Sequence, residues 1–230
     1  MNEADRIREE YRRREREIPA GFYDLDRPAN LFLRQGQERA LLRSLKAEGL
    51  IPLSGHRVLE VGCGSGNWLE MLERFGARRE EMAGIDLDTE RVARASERFP
   101  GADLRAGDAS RLPWENGHFG LVFQGTVFSS ILDPAMRREV AAEMLRVLAP
   151  GGTIVWYDFF VDNPSNPNVR GVRRKEIGEL FPGCRVRLRR ATLAPPLSRR
   201  IVPVSWTLAA LLEALRVLDT HYLGVIRRDG

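Results

Sequence analysis

Two hydrophobic rhythms run along the chain. Over residues 1–50 the apolar positions recur at helical spacing. "EADRIREEYRRRERE" is charged and helix-forming, with Ile7, Tyr11 and Ile18 on a thin apolar face. After Gly21 and Pro28, "ANLFLRQGQERALLRSLKAEGL" carries Leu33, Ala40, Leu41 and Leu45 on one side of a second helix. From Arg57 the rhythm changes to short apolar runs alternating with amphipathic stretches. "RVLEVGC", "MAGIDLD", "ADLRAGDA", "FGLVFQG", "GTIVWYDFF", "CRVRLRRATLA" and "HYLGVIRR" read as strands. "NWLEMLERFG", "TERVARASERF", "PAMRREVAAEMLRVL", "VRRKEIGELF" and "SWTLAALLEALRVL" read as helices, and "VDNPSNPN" as a breaker-rich connection.

Strands that alternate with helices require crossover connections, which are right-handed, and a sheet covered on both faces. The expected fold is α/β: a doubly wound, mostly parallel sheet of seven strands with helices on both faces. Only a short connection separates the helix at 205–218 from the strand at 221–228, leaving no room for another crossover. The last strand is therefore expected to run antiparallel, at or near the sheet edge. With no internal repeat and no low-complexity linker, residues 1–230 are expected to form one domain. It would comprise a helical cap over 1–50, a core over 55–160 and a C-terminal part over 161–230.

Composition narrows the function classes. No apolar run is long enough for a membrane span, and the N-terminus lacks the apolar stretch of a signal peptide. Cys63 and Cys184 are the only cysteines, too few for a disulfide framework or a zinc site, and the expected location is the reducing cytoplasm. The net charge of +4 is unevenly spread: 13 basic and 5 acidic residues from Pro164 onward give +8, against −4 for the remainder. All but two of the basic residues are arginine, the lysines being Lys46 and Lys175. A basic C-terminal third suits an anionic or membrane-associated partner, or is simply a solvated face. Aromatic residues are not interleaved with the basic ones, which argues against nucleic acid.

The chemistry is concentrated in "VLEVGCGSGNW", where Gly62, Gly64 and Gly66 fall between a strand and a helix. Glycines there let backbone N–H groups and a helix N-terminus approach a ligand closely, outside the carboxyl ends of the strands. The spacing is G-x-G-x-G, with Asn67 where the third glycine of a dinucleotide fingerprint would stand. Glu60 adds an acid beside the loop, awkward for a pyrophosphate and suited to an ammonium or sulfonium group. Asp86, 20 residues after Gly66, is spaced to accept hydrogen bonds from ribose hydroxyls, and Asp108 ends the following strand.

"VLEVGCGSGNW", "GIDLD", "GDASRLPWENGHFGLVF" and "RVLAPGGTIVWYDF" together resemble the successive motifs of class I S-adenosylmethionine-dependent methyltransferases, over roughly residues 55–160. The resemblance implies S-adenosylmethionine as cofactor and S-adenosylhomocysteine as product. It implies that Glu60, Gly62, Cys63, Gly64 and Gly66 surround the methionine part, Asp86 holds the ribose and Leu87 packs on the adenine. Asp108 and Ala109 would meet the adenine edge, and Gln124 would lie near the methionine end. It also implies a seven-stranded sheet whose antiparallel last strand sits between the fifth and sixth. Where many members read Phe-Asp at the start of the fourth strand, this chain reads Phe119-Gly120, away from the cofactor edge.

Methyl transfer needs alignment of nucleophile, carbon and sulfur, and a base only where the nucleophile must lose a proton. His56 and His118 precede parallel strands and belong at the opposite edge. His221 precedes the last strand and belongs at the cofactor edge, as a base candidate or a packing histidine. Asp158 and Tyr157, ending the fifth strand, are the other catalytic candidates; Asp158 equally suits a turn cap. The stretch after the fourth strand, "QGTVFSS", lacks the Asn/Asp-Pro-Pro-aromatic motif of amino-methylating DNA enzymes. "DFFVDN" lacks a partner acid for a metal, and no metal site is expected. Tyr11, Tyr23 and Trp206 are candidates to line a substrate pocket beneath an apolar cap near Arg199 and Arg200. The function expected is methylation of a small, partly apolar or anionic molecule, such as a hydroxyl of a specialised metabolite, sugar or lipid-linked intermediate. Peripheral membrane contact stays open, as does oligomeric state. The alternatives are methylation of RNA or protein, and a non-catalytic S-adenosylmethionine-binding protein.

Overall fold

The computed structural model describes residues 2–163 and 166–229; Pro164 and Ser165, within the breaker-rich connection, lie outside the described residues. Seven strands form one sheet: β1 (Val58–Val61), β2 (Met82–Asp86), β3 (Asp103–Ala106), β4 (Phe119–Gly125), β5 (Leu148–Phe159), β6 (Cys184–Leu193) and β7 (Asp219–Arg228). Their order is β3-β2-β1-β4-β5-β7-β6. β1 pairs in parallel with both β2 and β4, while β7 runs antiparallel to β5 and β6. The strand order reverses at β1, so Val61 stands beside Ile85 on one side and Gln124 on the other. The crevice of a doubly wound sheet opens there.

Among the described residues eight helices cover the sheet: α1 (Glu3–Glu17), α2 (Pro28–Ala47), α3 (Asn67–Arg74), α4 (Thr89–Arg98), α5 (Pro134–Val147), α6 (Arg174–Leu180), α7 (Pro195–Ile201) and α8 (Trp206–Leu215). Alternation within each strand divides the core in two. Leu59, Val61, Val122, Ile154 and Trp156 pack under α5 and α6 with Met136, Val140, Met144 and Ile177. Val58, Leu121, Phe123, Val155 and Tyr157 face α2, α3 and α4 with Leu41, Leu45, Leu69 and Val92. A third cluster of Phe32, Leu193, Val202 and Ala209 anchors α7 and α8 on α2. Helix starts follow capping chemistry: the Asp88 carboxylate accepts from the N–H groups of Glu90 and Arg91, and that of Asp133 from Ala135.

Two details differ from the pattern reading. β5 begins at Leu148 rather than Gly152, because Leu148 pairs with Phe119 before the register shifts. α7 is a further helix, started by two prolines in its first turn. β7 lies next to the edge, between β5 and β6 as the resemblance implies, and β6 takes the edge, where Arg185, Arg187 and Arg189 point outward; a charged edge strand resists pairing with another chain.

Candidate active site

The carboxyl ends of β1, β2 and β4 border a cavity of about 640 Å³, closed on its outer side by α1. That volume lies within the range that small-molecule and cofactor sites occupy, about 300–1,000 Å³. The glycine loop forms its floor. The N–H groups of Gly62 and Cys63 both donate to the Ile85 carbonyl, at 2.8 and 3.0 Å, folding the loop back on β2. All three glycines have positive φ, but for different reasons. A Cβ on Gly62 would stand 2.3 Å from Val127 Cγ2, and one on Gly66 2.5 Å from the Phe99 ring. A Cβ on Gly64 would meet nothing within 4 Å. Packing demands glycine at 62 and 66; only Gly64 faces open space, and Gly66 does not line the cavity.

Two acids face the cavity from the sheet edge. Glu60 is fully buried, yet neither carboxylate oxygen makes a hydrogen bond within the protein. Burial first, and the neighbouring Asp86 charge second, push its carboxyl well above the ordinary range. Asp86 accepts from the N–H groups of Gly64 and Asp88, each at 2.9 Å, and burial raises it too. Cys63, Leu87 and Ala109 line the same wall, with burial raising the Cys63 thiol. Asp108 and Gln124 do not. The Asp108 carboxylate accepts from Ser110 N–H at 2.8 Å, holding its own turn. Gln124 is buried behind the wall, its Oε1 accepting from Val127 N–H at 3.1 Å.

The catalytic candidates reach the right edge without reaching the cavity. His221 pairs with Phe159 at the carboxyl end of β5, as the topology requires. Its ring stacks on Tyr157 at 4.7 Å and against Phe159 at 3.9 Å, and only 3% of the residue is exposed. Phe159 lines the cavity; His221 stands behind it, its base lowered to about 3 by burial. The Tyr157 hydroxyl is buried between Gln37 Nε2 at 3.0 Å and Thr192 Oγ1 at 2.8 Å, with its proton held more tightly than usual by burial. Asp158, raised to about 6 by burial, accepts from the N–H groups of Ser129 and Phe159 and so fixes the loop after β4.

The roof comes from the cap. Ile7, Tyr11, Arg14, Glu15 and Ile18 of the N-terminal segment line the cavity. The Tyr11 hydroxyl lies 3.2 Å from Ser130 Oγ, and the Arg91 guanidinium lies over its ring at 4.4 Å. Arg91 also pairs with Glu15 at 2.9 Å, Arg6 donates to the Ser130 carbonyl at 2.6 Å, and Glu3 accepts from Leu132 and Asp133. Tyr23 stands at the mouth, 56% exposed. Trp206 lies elsewhere, edge-on to Phe32 at 5.2 Å, outside the cavity. Trp68, Arg91, Ser129, Ser130 and Phe159 are lining residues that sequence reasoning missed. Each is brought in by tertiary packing; Thr126 beside them has φ of +60°, rare for a β-branched residue and visible only in the fold.

The donor set suits a ligand carrying an ammonium group and a diol: an orphaned buried carboxylate, a second acid, an open glycine backbone and an apolar wall. Residues 58–152 match a family model described as a methyltransferase domain. Over this segment the chain is similar to methyltransferase domains. Curated relatives match over half of the chain or somewhat more. Phthiotriol/phenolphthiotriol dimycocerosates methyltransferase 1 of Mycobacterium ulcerans is 37% identical over 118 residues, covering 50% of this chain and 41% of the relative. The corresponding methyltransferase of Mycobacterium tuberculosis is 33% identical over 146 residues, covering 61% and 53%. The chain thus spans about half the length of the curated relatives it matches. Among solved structures, the Burkholderia thailandensis 1,6-didemethyltoxoflavin-N1-methyltransferase has the same fold, with a TM-score of 0.67 and 17% identity. It covers 99% of this chain and 89% of its own, and was crystallised with S-adenosylhomocysteine. Among the described residues no group of three or more His, Cys, Asp or Glu is arranged to hold a metal ion, and no helix is long and apolar enough to cross a membrane.

Proposed function

We propose that the protein transfers a methyl group from S-adenosylmethionine to a small, partly apolar acceptor of lipid-like character. The observation that carries the cofactor half is Glu60: a buried carboxylate with two orphaned oxygens, aimed into a cavity it shares with Asp86. Leaving such a group unpaired is destabilising, so its presence marks a ligand that pairs with it. In this reading Glu60 takes the ammonium of the methionine part, and the loop Gly62–Cys63–Gly64–Gly66 shapes the floor. Asp86 exchanges its two backbone donors for ribose hydroxyls, and Leu87 and Ala109 hold the adenine. Asp108 and Gln124 act from behind the wall by fixing their turns.

When bound, the cofactor supplies an electrophilic methyl group on a sulfonium. The protein's part is to hold an acceptor in line with it and keep water out. Tyr11, Tyr23 and Phe159 with the loop after β4 complete the cavity lining. The lining carboxylates are Glu15, Glu60 and Asp86, and the lining residues include no histidine. His221, Asp158 and Tyr157 therefore act by positioning: Asp158 on Ser129, His221 on Phe159 and Tyr157 on Trp68. An oxygen or nitrogen acceptor that must lose its proton has Tyr11 and Glu15 as the nearest titratable groups on the cap. The lipid-like acceptor class draws on the dimycocerosates named for the mycobacterial relatives.

Calorimetric titration with S-adenosylmethionine tests the reading directly. Wild-type protein should bind it, and Glu60→Gln should weaken binding about 10- to 100-fold, the worth of a charged hydrogen-bonded contact. Asp86→Ala should weaken it at least as much. Undiminished binding by both variants would overturn the assignment. Release of S-adenosylhomocysteine on adding lipid extract, but not polar metabolites, would support the acceptor class.

A further inference from the structure

α8 is built inside out. Its one charged residue, Glu213, points inward and pairs with Arg39 of α2 at 3.1 Å. Three of its four leucines point outward: Leu208, Leu211 and Leu215 are 48%, 61% and 68% exposed and fall on one helical stripe, while Leu212 packs inward. Val204 before the helix and Val217 after it are also largely exposed. Scattered exposed leucines need no explanation, but a contiguous apolar face marks an interaction surface.

The charge around this face identifies the partner. Residues 189–218 carry five arginines (Arg189, Arg190, Arg199, Arg200 and Arg216) and one acid, the inward Glu213. None of the five ion-pairs with a carboxylate among the described residues. An apolar stripe accompanied by unpaired arginines is complementary to an anionic lipid headgroup layer over hydrocarbon. The face is also joined to the cavity mouth. The Arg199 guanidinium sits 4.5 Å over the Phe22 ring, and Phe22 stands edge-on to Tyr23, which lines the cavity.

We propose that the α7–α8 hairpin docks the protein on anionic phospholipid bilayers, with Leu208, Leu211 and Leu215 in the acyl boundary and Arg199, Arg200 and Arg216 among the headgroups. The 19–25 segment then meets the same surface, and the cavity mouth opens toward the lipid phase. The docking surface is independent of methyl transfer, so its test reads binding alone.

Full-length protein is sedimented with phosphatidylglycerol/phosphatidylcholine vesicles and with pure phosphatidylcholine vesicles. Binding should favour the anionic vesicles and weaken with added salt. Arg199→Gln with Arg200→Gln should lower partitioning about 25-fold, at about 5-fold per arginine near the surface. Leu208→Ser, Leu211→Ser and Leu215→Ser together should abolish it while leaving the melting temperature within a few degrees, since these side chains are exposed. Should that triple variant prove unstable, wild-type Trp206 gives an independent reading. At 38% exposure beside the stripe, its fluorescence should shift to the blue on vesicle addition and be quenched by brominated lipid. Failure to sediment with anionic vesicles overturns the proposal. So does a concentration-dependent dimer that the triple variant disrupts, or salt-sensitive binding to RNA without binding to vesicles.

Discussion

His221 offers the sharpest test of the division between cavity and support. Its ring is buried, stacked on Tyr157, and meets one polar partner, Thr220 Oγ1 at 3.0 Å from Nδ1. Burial without a carboxylate lowers its folded-state value to about 3, against an ordinary 6.5. Below the ordinary value the unfolded chain therefore binds a proton that the folded protein refuses, and stability falls as pH falls from 6.5 toward 3. Each unit of that window is worth about 1.4 kcal/mol, so between pH 7.5 and 4.5 this one group should remove about 2.6 kcal/mol. His221→Phe keeps the aromatic stack and deletes the titration. Urea unfolding of both proteins across that range should show a fixed offset above pH 7, from the lost Thr220 contact. Below it the wild type should fall relative to the variant by about 2.6 kcal/mol. Asp158 and Asp219, both raised to about 6 by burial, titrate in the same window with opposite sign. They are common to both proteins and cancel in the difference. Parallel curves would refute the buried neutral state. Methyl transfer by His221→Phe at pH 7.5 should stay within about 5-fold of wild type; loss of about 100-fold or more, the scale of a lost general base, would make His221 a catalytic base after all.

The two open-loop glycines should separate folding from binding. Gly62→Ala, driven into Val127, should lower stability by about 2–3 kcal/mol or more in chemical unfolding. Gly64→Ala meets only open space, so it should lose about 1–2 kcal/mol for its positive φ while weakening cofactor binding disproportionately in calorimetry. Because the Glu60 carboxyl sits well above its ordinary value, pairing it with an ammonium requires ionisation. Cofactor affinity should rise with pH, and binding should release a proton, read from calorimetry in buffers of different ionisation enthalpy. Glu3, held at about 2 chiefly by Arg6, ties α1 to the N–H groups of Leu132 and Asp133. Glu3→Gln should speed hydrogen exchange in α1 without moving the global unfolding midpoint.

How legible the molecule was in its sequence depended on how local each signal was. The strands ending at Val61, Asp86 and Gly125 announce themselves because each is a short apolar run closed by a glycine or an acid. The lining residues Glu60, Gly64, Asp86 and Leu87 lie within a few residues of the first two ends, and Ala109 lies three residues after β3, so naming the strand ends names them. α7 was invisible for the opposite reason: "PPLSRRI" buries only Ser198 and has no apolar period to detect. Trp206 misled because an aromatic residue on a cap is equally suited to a pocket and to a packing seam; Phe32, distant in sequence, claimed it. Periodicity misleads most on α8, where a leucine stripe ordinarily faces the core. Here the seam with α2 is filled by Ala209 and its neighbours, and the stripe is left outside.

That asymmetry bears on how the molecule divides its tasks. The cofactor wall is written in consecutive motifs along one sheet edge, and its geometry follows from the switch in strand order at β1. The acceptor side is assembled from α1, the Tyr23 segment, the loop after β4 and the end of β5, which no local pattern connects. α1 buries only Ile7 and is otherwise held largely by polar contacts: Glu3 reaches Leu132 and Asp133, Arg6 and Tyr11 reach Ser130, and Glu15 reaches Arg91. A helix bound this way contributes little apolar stabilisation and separates at low cost. The wall beneath it, by contrast, is locked by backbone hydrogen bonds and by glycines that packing will not release. A fixed floor under a weakly held roof lets the acceptor side open while the cofactor side keeps its alignment, which is the division that in-line methyl transfer requires. On this argument, substitutions in α1 should change the acceptor KM well before they change cofactor affinity, and substitutions at Glu60 or Asp86 should do the reverse. Steady-state kinetics varied in each substrate separately would expose a failure of that order.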